Sequence, residues 1–420
     1  MERIEKSKTA TGREDLRARV VVTAAEVVSS AGIGREALLS VLKQNSCQGS
    51  SSGYSLDISL VARIRETIQE HRYFPDDRKS WLGLKAADLA WRASGLKEEQ
   101  KADLGVFVGT GLSSITPAEL NEDIYPHLDK GRFNRQAMAK DLSPERSAPR
   151  RHLPHHFGAF LTKKYGGKIS GSNFSACAAA AQAIATGFWA IRRGEISYAL
   201  VGGHDSMDHP MGLLSFSVLG ALSSSYCRPF DKERDGFMLG EGAAFLVLER
   251  LDLALERGAE ILAEIKGAGT SMDAWNPTAP HPEGQGAQRA MERALRDAKL
   301  SPEDIGYVNA HGTGTPLGDQ AESHAISRLF GSEVPVSSIK GAIGHCIAAA
   351  GAVEAVACIG SLIDGILPGT AGLEEQDEEC PVWALKDTIE RQVDYIVTNS
   401  FGFGGQNCSL IIGRLGNWEI

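Results

Sequence analysis

Short, continuous apolar runs recur along the chain and alternate with segments of helical spacing. The first is the β-branched run at 19–23, which is typical of a strand buried on both faces. Residues 35–43, 285–299 and 317–330 have helical spacing instead. The alternation predicts an α/β protein in which helices cover both faces of a sheet. The other predicted strands are 104–109, 168–175, 198–202, 242–249, 261–267, 305–309, 334–339, 395–399 and 409–412.

The two halves of the chain repeat this order of elements. In each half the third strand leads into a helix of small residues, Cys-Ala-Ala-Ala-Ala-Gln from 177 and Cys-Ile-Ala-Ala-Ala-Gly from 346. Side chains this small let two helix backbones approach closely at the centre of a layered fold. We therefore expect two similar halves, residues 18–256 and 257–420, with Cys177 and His345 facing a common cleft. The alternative interpretation is that these segments are two ordinary Ala-rich core helices with no common cleft.

Composition restricts the class of protein. Of the 420 residues, 42% are hydrophobic and 23% are charged, which is ordinary for a soluble globular protein. The formal net charge of −9 disfavours a nucleic-acid binder that relies on a large basic face. The seven cysteines show no CxxC spacing, which excludes a disulfide framework and a zinc ribbon.

No membrane span is expected. The charged first residues lack the apolar core of a signal peptide. Two long apolar stretches, 176–191 and 346–363, contain Gln182 and Glu354, and the first is shorter than the ~18 residues of a span. Both are interpreted as buried helices, and the predicted location is the cytoplasm.

Residues 113–155 are charged and rich in Arg and Pro, and we expect an irregular excursion over the surface. At its end His152, His155 and His156 lie close together in the sequence. No carboxylate or cysteine is spaced to complete a metal shell, so solvated histidines are favoured over a metal site.

Cys177 stands where a strand is expected to meet a helix, in Ser-Ala-Cys-Ala. Unpaired backbone N–H groups and the positive end of the helix dipole stabilise a thiolate there. Both effects predict a thiol pKa below ~8.5 and a nucleophilic sulfur. A buried, inert cysteine is the alternative.

Three further segments carry candidate chemistry. His311 lies in the run Asn-Ala-His-Gly-Thr-Gly-Thr-Pro, where threonine hydroxyls could orient the imidazole. His345 ends Lys-Gly-Ala-Ile-Gly-His at a predicted helix N-terminus, which disfavours the cationic imidazole, so a neutral ring can donate a hydrogen bond at pH 7. The run Asn-Ser-Phe-Gly-Phe-Gly-Gly-Gln-Asn at 399–407 lets backbone N–H groups turn towards a ligand between two phenylalanines.

At these residues the chain resembles the elongating β-ketoacyl-acyl-carrier-protein synthases, the condensing enzymes of fatty-acid and type II polyketide assembly. The long runs at 228–237, 240–243 and 348–354 also match, and the resemblance extends from about residue 18 to 414. It implies a thiolase-like αβαβα five-layer sandwich of two similar halves, usually a dimer. It implies no cofactor and no metal.

The resemblance also implies roles for individual residues. Cys177 is the acyl-accepting nucleophile, His311 and His345 complete a Cys-His-His triad, and Lys340 is the active-site lysine, with Glu322 as its partner. The backbone N–H groups of Cys177 and Phe403 form the oxyanion hole, and Phe403 is also the gate. Residues implied to support the site are Thr313, Thr315, Asp319, Glu354, Phe401, Gly402, Gly404 and Gly405, with Leu112 in the substrate tunnel.

Three functions are compatible with the sequence. The first is decarboxylative condensation of a Cys177-bound acyl chain with malonyl-acyl-carrier protein. The second is a non-catalytic partner resembling a chain-length factor, a class that normally lacks the nucleophile. The third is a degradative thiolase, for which Cys408 is the only late candidate for a second catalytic cysteine.

The implied partners are an acyl-carrier protein and a second subunit, identical or ketosynthase-like. Carrier proteins are acidic, so basic residues should receive them. The candidates are Arg78-Lys79, Lys130 with Arg132, and Arg150-Arg151. Gln406 and Cys346 depart from the usual pattern of the family.

Overall fold

The computed structural model describes residues 19–46, 61–62, 77–111, 120–141, 152–207 and 210–415. Its principal strands are β1 Val20–Ser29, β2 Leu104–Thr110, β3 Ile169–Asn173, β4 Tyr198–Ser206, β5 Leu239–Arg250, β6 Ala263–Met272, β7 Tyr307–Asn309, β8 Pro335–Ser337, β9 Tyr395–Gly402 and β10 Gln406–Gly413. Its principal helices are α1 Arg35–Gln44, α2 Arg78–Ser94, α3 His156–Tyr165, α4 Ala179–Arg192, α5 Pro210–Val218, α6 Leu251–Glu256, α7 Gln285–Ala298, α8 Pro316–Phe330 and α9 Ala350–Asp364.

The strand order repeats between the two halves. It is β3-β2-β4-β5-β1 in the first half and β8-β7-β9-β10-β6 in the second, so each half has its strands in the order third, second, fourth, fifth, first. In each half the second strand runs parallel to the third and the fourth, while the fifth is antiparallel to its neighbours. The first strands of the halves pair with each other, Val20 opposite Ile265. The predicted duplication is therefore present in the topology.

The apolar clusters show the layers. One cluster contains α4, α9 and the faces of both half-sheets, and therefore lies at the centre. A second packs α2 and α3 on the outer face of the first half-sheet, and a third packs α7 and α8 on the outer face of the second. The order helix, sheet, helix, sheet, helix is the predicted thiolase-like sandwich.

Close approach of the central helices depends on their small residues. A Cβ on Gly351 would lie 2.9 Å from the backbone nitrogen of Ala181 and 2.6 Å from Oγ of Ser400. The segment Ile347–Asp364 is long and apolar enough to cross a membrane, but 89% of it is buried inside the protein. In the part of the chain that the structure describes, this one candidate span is a core helix.

Both central helices begin with a strained turn of the same form. A 3-10 turn at Ala176–Ala178 precedes α4, and one at Ile347–Ala349 precedes α9. The first residue of each has positive φ, 46° at Ala176 and 45° at Ile347. Cys177 therefore corresponds to Ala348, two residues beyond the Cys346 with which the sequence repeat aligned it.

Four helices, α2, α3, α5 and α6, and part of the excursion were not predicted. Helix α2 has an ordinary N-cap, Asp77, whose carboxylate accepts from Ser80, and it ends at Gly95 with φ 67°. Residues 120–141 are not irregular throughout, because they contain a hairpin and a helix. The other short elements are Gly32–Ile33, Val61–Ala62, Glu98–Lys101, Leu120–Ile124, Tyr125–His127, Leu128–Asp129, Arg132–Phe133, Arg135–Asp141, Pro302–Asp304, Lys340–Ile343, Ile366–Leu367, Trp383–Ala384 and Ile389–Glu390.

Candidate active site

Cys177, His311 and His345 meet at one cleft although they follow three different strands, β3, β7 and β8. Nε2 of His345 lies 3.1 Å from Sγ of Cys177. The two imidazole centroids are 5.3 Å apart with their planes at 81°. One ring nitrogen of each histidine and the sulfur of Cys177 all lie within 4.8 Å of one another. The repeated topology explains the meeting, because β3 and β8 hold equivalent places and both lead into the central layer.

The backbone around Cys177 is held from two sides. The side-chain oxygen of Asn173 accepts from the backbone N–H of Ser175 at 2.9 Å. On the other side, a Cβ on Gly402 would lie 2.7 Å from the carbonyl oxygen of Ser175 and 3.2 Å from the nitrogen of Cys177. Only glycine lets the β9 strand end approach the nucleophile turn this closely.

Two buried carboxylates hold the loop that carries His311. Glu322 accepts from the backbone N–H groups of His311 and Gly312, both at 2.8 Å, and from the side chain of Asn399 at 3.1 Å. Asp319 accepts from the N–H groups of Thr313 and Gly314. The loop is therefore positioned through its backbone.

The expectation that threonine hydroxyls orient the His311 ring was wrong. The hydroxyls of Thr313 and Thr315 lie 2.9 Å from each other, and Nδ1 of His311 has no hydrogen-bond partner among the described residues. Instead, the centroid of the His311 ring lies 5.8 Å from the centroid of the Phe401 ring. Both threonines line the cleft, where their polar atoms can contact a ligand.

The predicted pairing of Lys340 with Glu322 was also wrong. Nζ of Lys340 donates to the carboxylate of Glu354 and to the carbonyl oxygen of His311. Both side chains of the ion pair are almost completely buried, at 1% and 2% exposure. Glu322 is already engaged by backbone N–H groups, whereas Glu354 lies on α9 and faces Lys340 across the inner layer.

Burial and the Lys340 charge determine the protonation of the two histidines. Burial lowers the pKa of His311 and of His345 well below its usual value, and the positive charge of Lys340 lowers both further. Protonating either ring would bring a second cation into an apolar cavity beside the first. Both imidazoles are therefore neutral at pH 7. The neutral state of His345 was expected, but its principal cause is burial and not the helix N-terminus.

The expected low pKa of the Cys177 thiol was wrong for the protein without substrate. Burial raises the pKa of Cys177 to about 12, while the Lys340 charge and a hydrogen bond from the backbone N–H of Phe403 act in the opposite direction. The desolvation of a thiolate in this cleft outweighs the N–H groups at the helix start. The resting nucleophile is a neutral thiol beside a neutral imidazole.

The cleft is a cavity of about 100 Å³ bounded by the glycine motif. Strands β9 and β10 form a hairpin whose turn contains Gly404 and Gly405 with φ of 84° and 76°. This turn brings the N–H of Phe403 to the Cys177 sulfur, while the Phe403 ring lies 6.2 Å from Phe216. The other aromatic residues of the lining are Phe237 and Phe401.

The models of the β-ketoacyl synthase N-terminal and C-terminal domains match residues 17–254 and 262–374. The chain belongs to the β-ketoacyl synthase family. It is 36% identical over 357 residues to the 3-oxoacyl-[acyl-carrier-protein] synthase 2 of Vibrio cholerae, which covers 79% of this chain and 81% of that protein. The chain is therefore a condensing enzyme that forms carbon–carbon bonds between acyl units.

Solved structures agree with this fold across the chain. The ishigamide ketosynthase/chain length factor superposes with a TM-score of 0.82 at 31% identity, covering 95% of this chain and all of that one. A type II polyketide ketosynthase, solved with its acyl-carrier protein and bound to the hexaketide, superposes with a TM-score of 0.81 at 26% identity, covering 95% and 99%.

Several candidate residues do not take part in the synthase site. Cys408 is fully buried in β10 and does not line the cleft, so among the described residues the thiolase alternative has no second cysteine in the cleft. Gln406 pairs with Met272 and lines a different groove, beside Arg293. Cys346 is buried beside Gly240 and also lies outside the lining. Leu112 lies outside the described residues.

Three residues that sequence reasoning missed complete the synthase site. The rings of Phe237 and His345 form a T-shaped contact with their centroids 5.2 Å apart. Asn399 donates to Glu322, and Ser338 donates to the carbonyl oxygen of Gly312 at 2.6 Å. Phe237 and Asn399 both stand in motifs that carry the resemblance, which is the signal that would have found them. Ser338 has no such signal.

Among the described residues, one group of three or more His, Cys, Asp and Glu has ligand atoms close enough for a metal, namely Cys177, His311 and His345. The Lys340 ammonium next to this group opposes a bound cation. His152, His155 and His156 do not form such a group.

Proposed function

We propose that Cys177, His311 and His345 carry out decarboxylative condensation of a sulfur-bound acyl chain with a malonyl thioester. The observation that carries this proposal is the 3.1 Å approach of His345 Nε2 to the Cys177 sulfur, with the neutral ring of His311 beside it. A thiol with two uncharged imidazoles suits an acyl acceptor that must also stabilise an enolate.

The first step is thioester exchange. The sulfur of Cys177 attacks the acyl thioester, a new carbon–sulfur bond forms, and the carrier thiol leaves with the proton of the Cys177 thiol. The developing oxyanion is held by the N–H groups of Cys177 and Phe403. Each such donor is worth ~3 kcal/mol in the transition state.

The second step breaks the bond between the malonyl carboxylate and its α-carbon. Carbon dioxide leaves, and the electron pair becomes an enolate on the malonyl thioester oxygen. Neutral His311 and His345, each protonated on Nε2, can both donate to that oxygen, because a neutral imidazole carries one N–H. The carbanion carbon then attacks the Cys177 thioester, the sulfur leaves as thiolate, and a proton from solvent restores the thiol.

Intact-mass spectrometry with acyl-loaded carrier protein tests the nucleophile. The wild-type chain should gain the mass of the acyl group, and Cys177→Ala should gain none while retaining its circular dichroism spectrum. Cys346→Ala is the matched control, because it removes a neighbouring buried thiol that does not line the cleft. Persistence of the adduct on Cys177→Ala would exclude Cys177 as the acceptor.

The proposed partners are an acyl-carrier protein and a second ketosynthase-like or identical subunit, with the cytoplasm as the location. Two observations support a dimer. Solved relatives include a ketosynthase/chain length factor, and β3 is the last strand of the described sheet, so one of its edges has no neighbouring strand. The boundary of the halves at 256/257 remains a prediction.

Carrier docking is proposed on the excursion. Lys130 and Arg132 are exposed on the hairpin at 128–133. Arg78 and Lys79 are not suitable, because Arg78 pairs with the buried Glu241 and Lys79 is 5% exposed. Arg150 and Arg151 lie outside the described residues.

A further inference from the structure

The strand registers show which residues of the two halves hold equivalent positions. The first strand of each half has a bulge, at Thr23 in β1 and at Lys266 in β6. Two residues before its bulge, β1 faces Glu249 of β5, and β6 faces Gly413 of β10. Glu249 and Gly413 therefore correspond to each other.

The correspondence continues along the fourth strand of each half. The residues of β4 and β9 that pair with Glu249 and Gly413 are both tyrosines, Tyr198 and Tyr395. Counting the same number of residues from each tyrosine makes Asp205 of β4 the counterpart of Gly402 of β9. The residue after Asp205 is then the counterpart of the residue after Gly402.

A carboxylate of the protein itself fills the counterpart of the proposed oxyanion hole. That hole pairs the backbone N–H groups of Cys177 and Phe403, whose counterparts are the N–H groups of Ala348 and Ser206. One carboxylate oxygen of Asp205 accepts from the N–H of Ala348 at 3.1 Å, and the other accepts from the N–H of Ser206 at 2.9 Å. Both N–H groups of this second pair are therefore engaged.

The difference between glycine and aspartate explains why only one of the two N–H pairs can receive a substrate. Gly402 has no side chain that could contact the N–H of Cys177. The Asp205 side chain has room because the chain after β2 continues with Gly111, where a Cβ would clash with the carboxylate. Burial raises the pKa of Asp205 to about 6, while the Lys79 charge and the two N–H groups act in the opposite direction. The carboxylate is therefore the predominant form at pH 7.

The contact with Asp205 holds a strained turn between the catalytic groups. The turn begins at Ile347, whose φ of 45° is unusual for a β-branched residue and persists only where the surroundings hold it. It follows His345 directly after one intervening residue and packs against the turn that carries Cys177. We propose that Asp205 is a positioning residue, which holds this turn through the N–H of Ala348 and thereby places the imidazole of His345. This role rests on the proposed function of that imidazole.

Carbon dioxide release from malonyl-carrier protein, measured in the Cys177→Gln background, tests the effect on catalysis. Asp205→Leu has a side chain of similar size without an acceptor, whereas Asp205→Asn keeps one acceptor oxygen. We expect kcat to fall about 100-fold in Asp205→Leu and about tenfold in Asp205→Asn, with KM unchanged, because a displacement of ~1 Å can cost ~10²-fold. Glu249→Gln is the matched control, since it neutralises a buried carboxylate that pairs with Arg257, and its kcat should not change.

The hydrogen bond itself can be observed without catalysis. Carbonyl-¹³C isoleucine combined with ¹⁵N-alanine selects the Ile–Ala peptides, which in this sequence are those at 184–185 and 347–348. In deuterated protein, the amide proton signal of Ala348 should move upfield in Asp205→Leu, because a hydrogen bond to a charged acceptor is lost. The signal of Ala185, inside α4, is the internal reference and should not move.

Three results would overturn the role of Asp205. They are an unchanged kcat in folded Asp205→Leu, an equal loss of kcat in the Glu249→Gln control, and an Ala348 signal that does not move. If Asp205→Leu does not fold, Asp205→Asn carries both measurements. If Cys177→Gln with Asp205 intact released no carbon dioxide, the proposed function would fail, while the Ala348 signal would still decide whether Asp205 holds the turn.

Discussion

Nζ of Lys340 donates both to the carboxylate of Glu354 and to the backbone carbonyl of His311. One buried cation thus joins the central helix α9 to the catalytic loop. It also lowers the pKa of both catalytic histidines. Lys340 therefore contributes to the position and to the protonation of the imidazoles without contacting the sulfur.

Lys340→Met should destabilise the protein by about 3–5 kcal/mol, because it leaves the Glu354 carboxylate buried without a partner. The double variant Lys340→Met/Glu354→Gln should recover part of that loss, since neither side chain is then charged. Urea unfolding of the wild type, the single variant and the double variant measures both effects. Equal stabilities of the wild type and Lys340→Met would contradict the buried pair.

Titration of His311 and His345 should not reduce the decarboxylation rate as the pH is lowered through 6.5. A histidine with a lowered pKa stays neutral below the pH at which an ordinary histidine protonates, so its Nε2–H remains a donor from an uncharged ring. Carbon dioxide release from malonyl-carrier protein by Cys177→Gln isolates this step. The carboxyls of Glu322 and Asp319, whose pKa values burial raises to about 7 and about 6, titrate in the same range, so the imidazole NMR signals are followed in parallel. A loss of half the rate near pH 6.5 together with a shift of an imidazole signal over the same range would show that at least one imidazole titrates normally.

Gly402→Ala should destabilise the protein by about 1–3 kcal/mol and reduce acyl transfer, since its Cβ would press on the Ser175 carbonyl and the Cys177 nitrogen. Gly404→Ala is the matched control in the same hairpin. A Cβ there meets nothing within 4 Å, and only the φ of 84° opposes it. Measuring acyl transfer at equal folded fraction separates an effect on the site from an effect on stability. An equal loss of acyl transfer in Gly402→Ala and Gly404→Ala would contradict a specific contact at Gly402.

Reversing the exposed charges of the excursion should weaken carrier docking. We expect Lys130→Glu/Arg132→Glu to raise the apparent KM for acyl-carrier protein severalfold with kcat unchanged, and added salt should reduce the difference. Lys299→Glu, a charge reversal at the exposed end of α7, is the control for net charge. An unchanged KM in the first variant removes these residues from the interface.

Much of the architecture was predictable because strands buried on both faces leave continuous apolar runs in the sequence. The strands extend beyond those runs where they carry polar residues into the site. Strand β4 continues to Ser206, and β9 continues through the glycine motif to Gly402. Helix α2 carried an N-cap and a C-terminal glycine, yet it was not predicted. Residues 79–84 are all buried, Lys79 and Ser80 included, so the first turns lack the polar face of an amphipathic helix.

The sequence by itself determined the four residues at the centre of the site, since the types and order of Cys177, His311, Lys340 and His345 carry the resemblance. Only the tertiary structure decided which acid neutralises Lys340 and whether Cys177 rests as thiol or thiolate. Both depend on burial and on distances across the central layer, because the free energy of a charge is set by the groups around it in space. Residues far apart in the chain supply those groups.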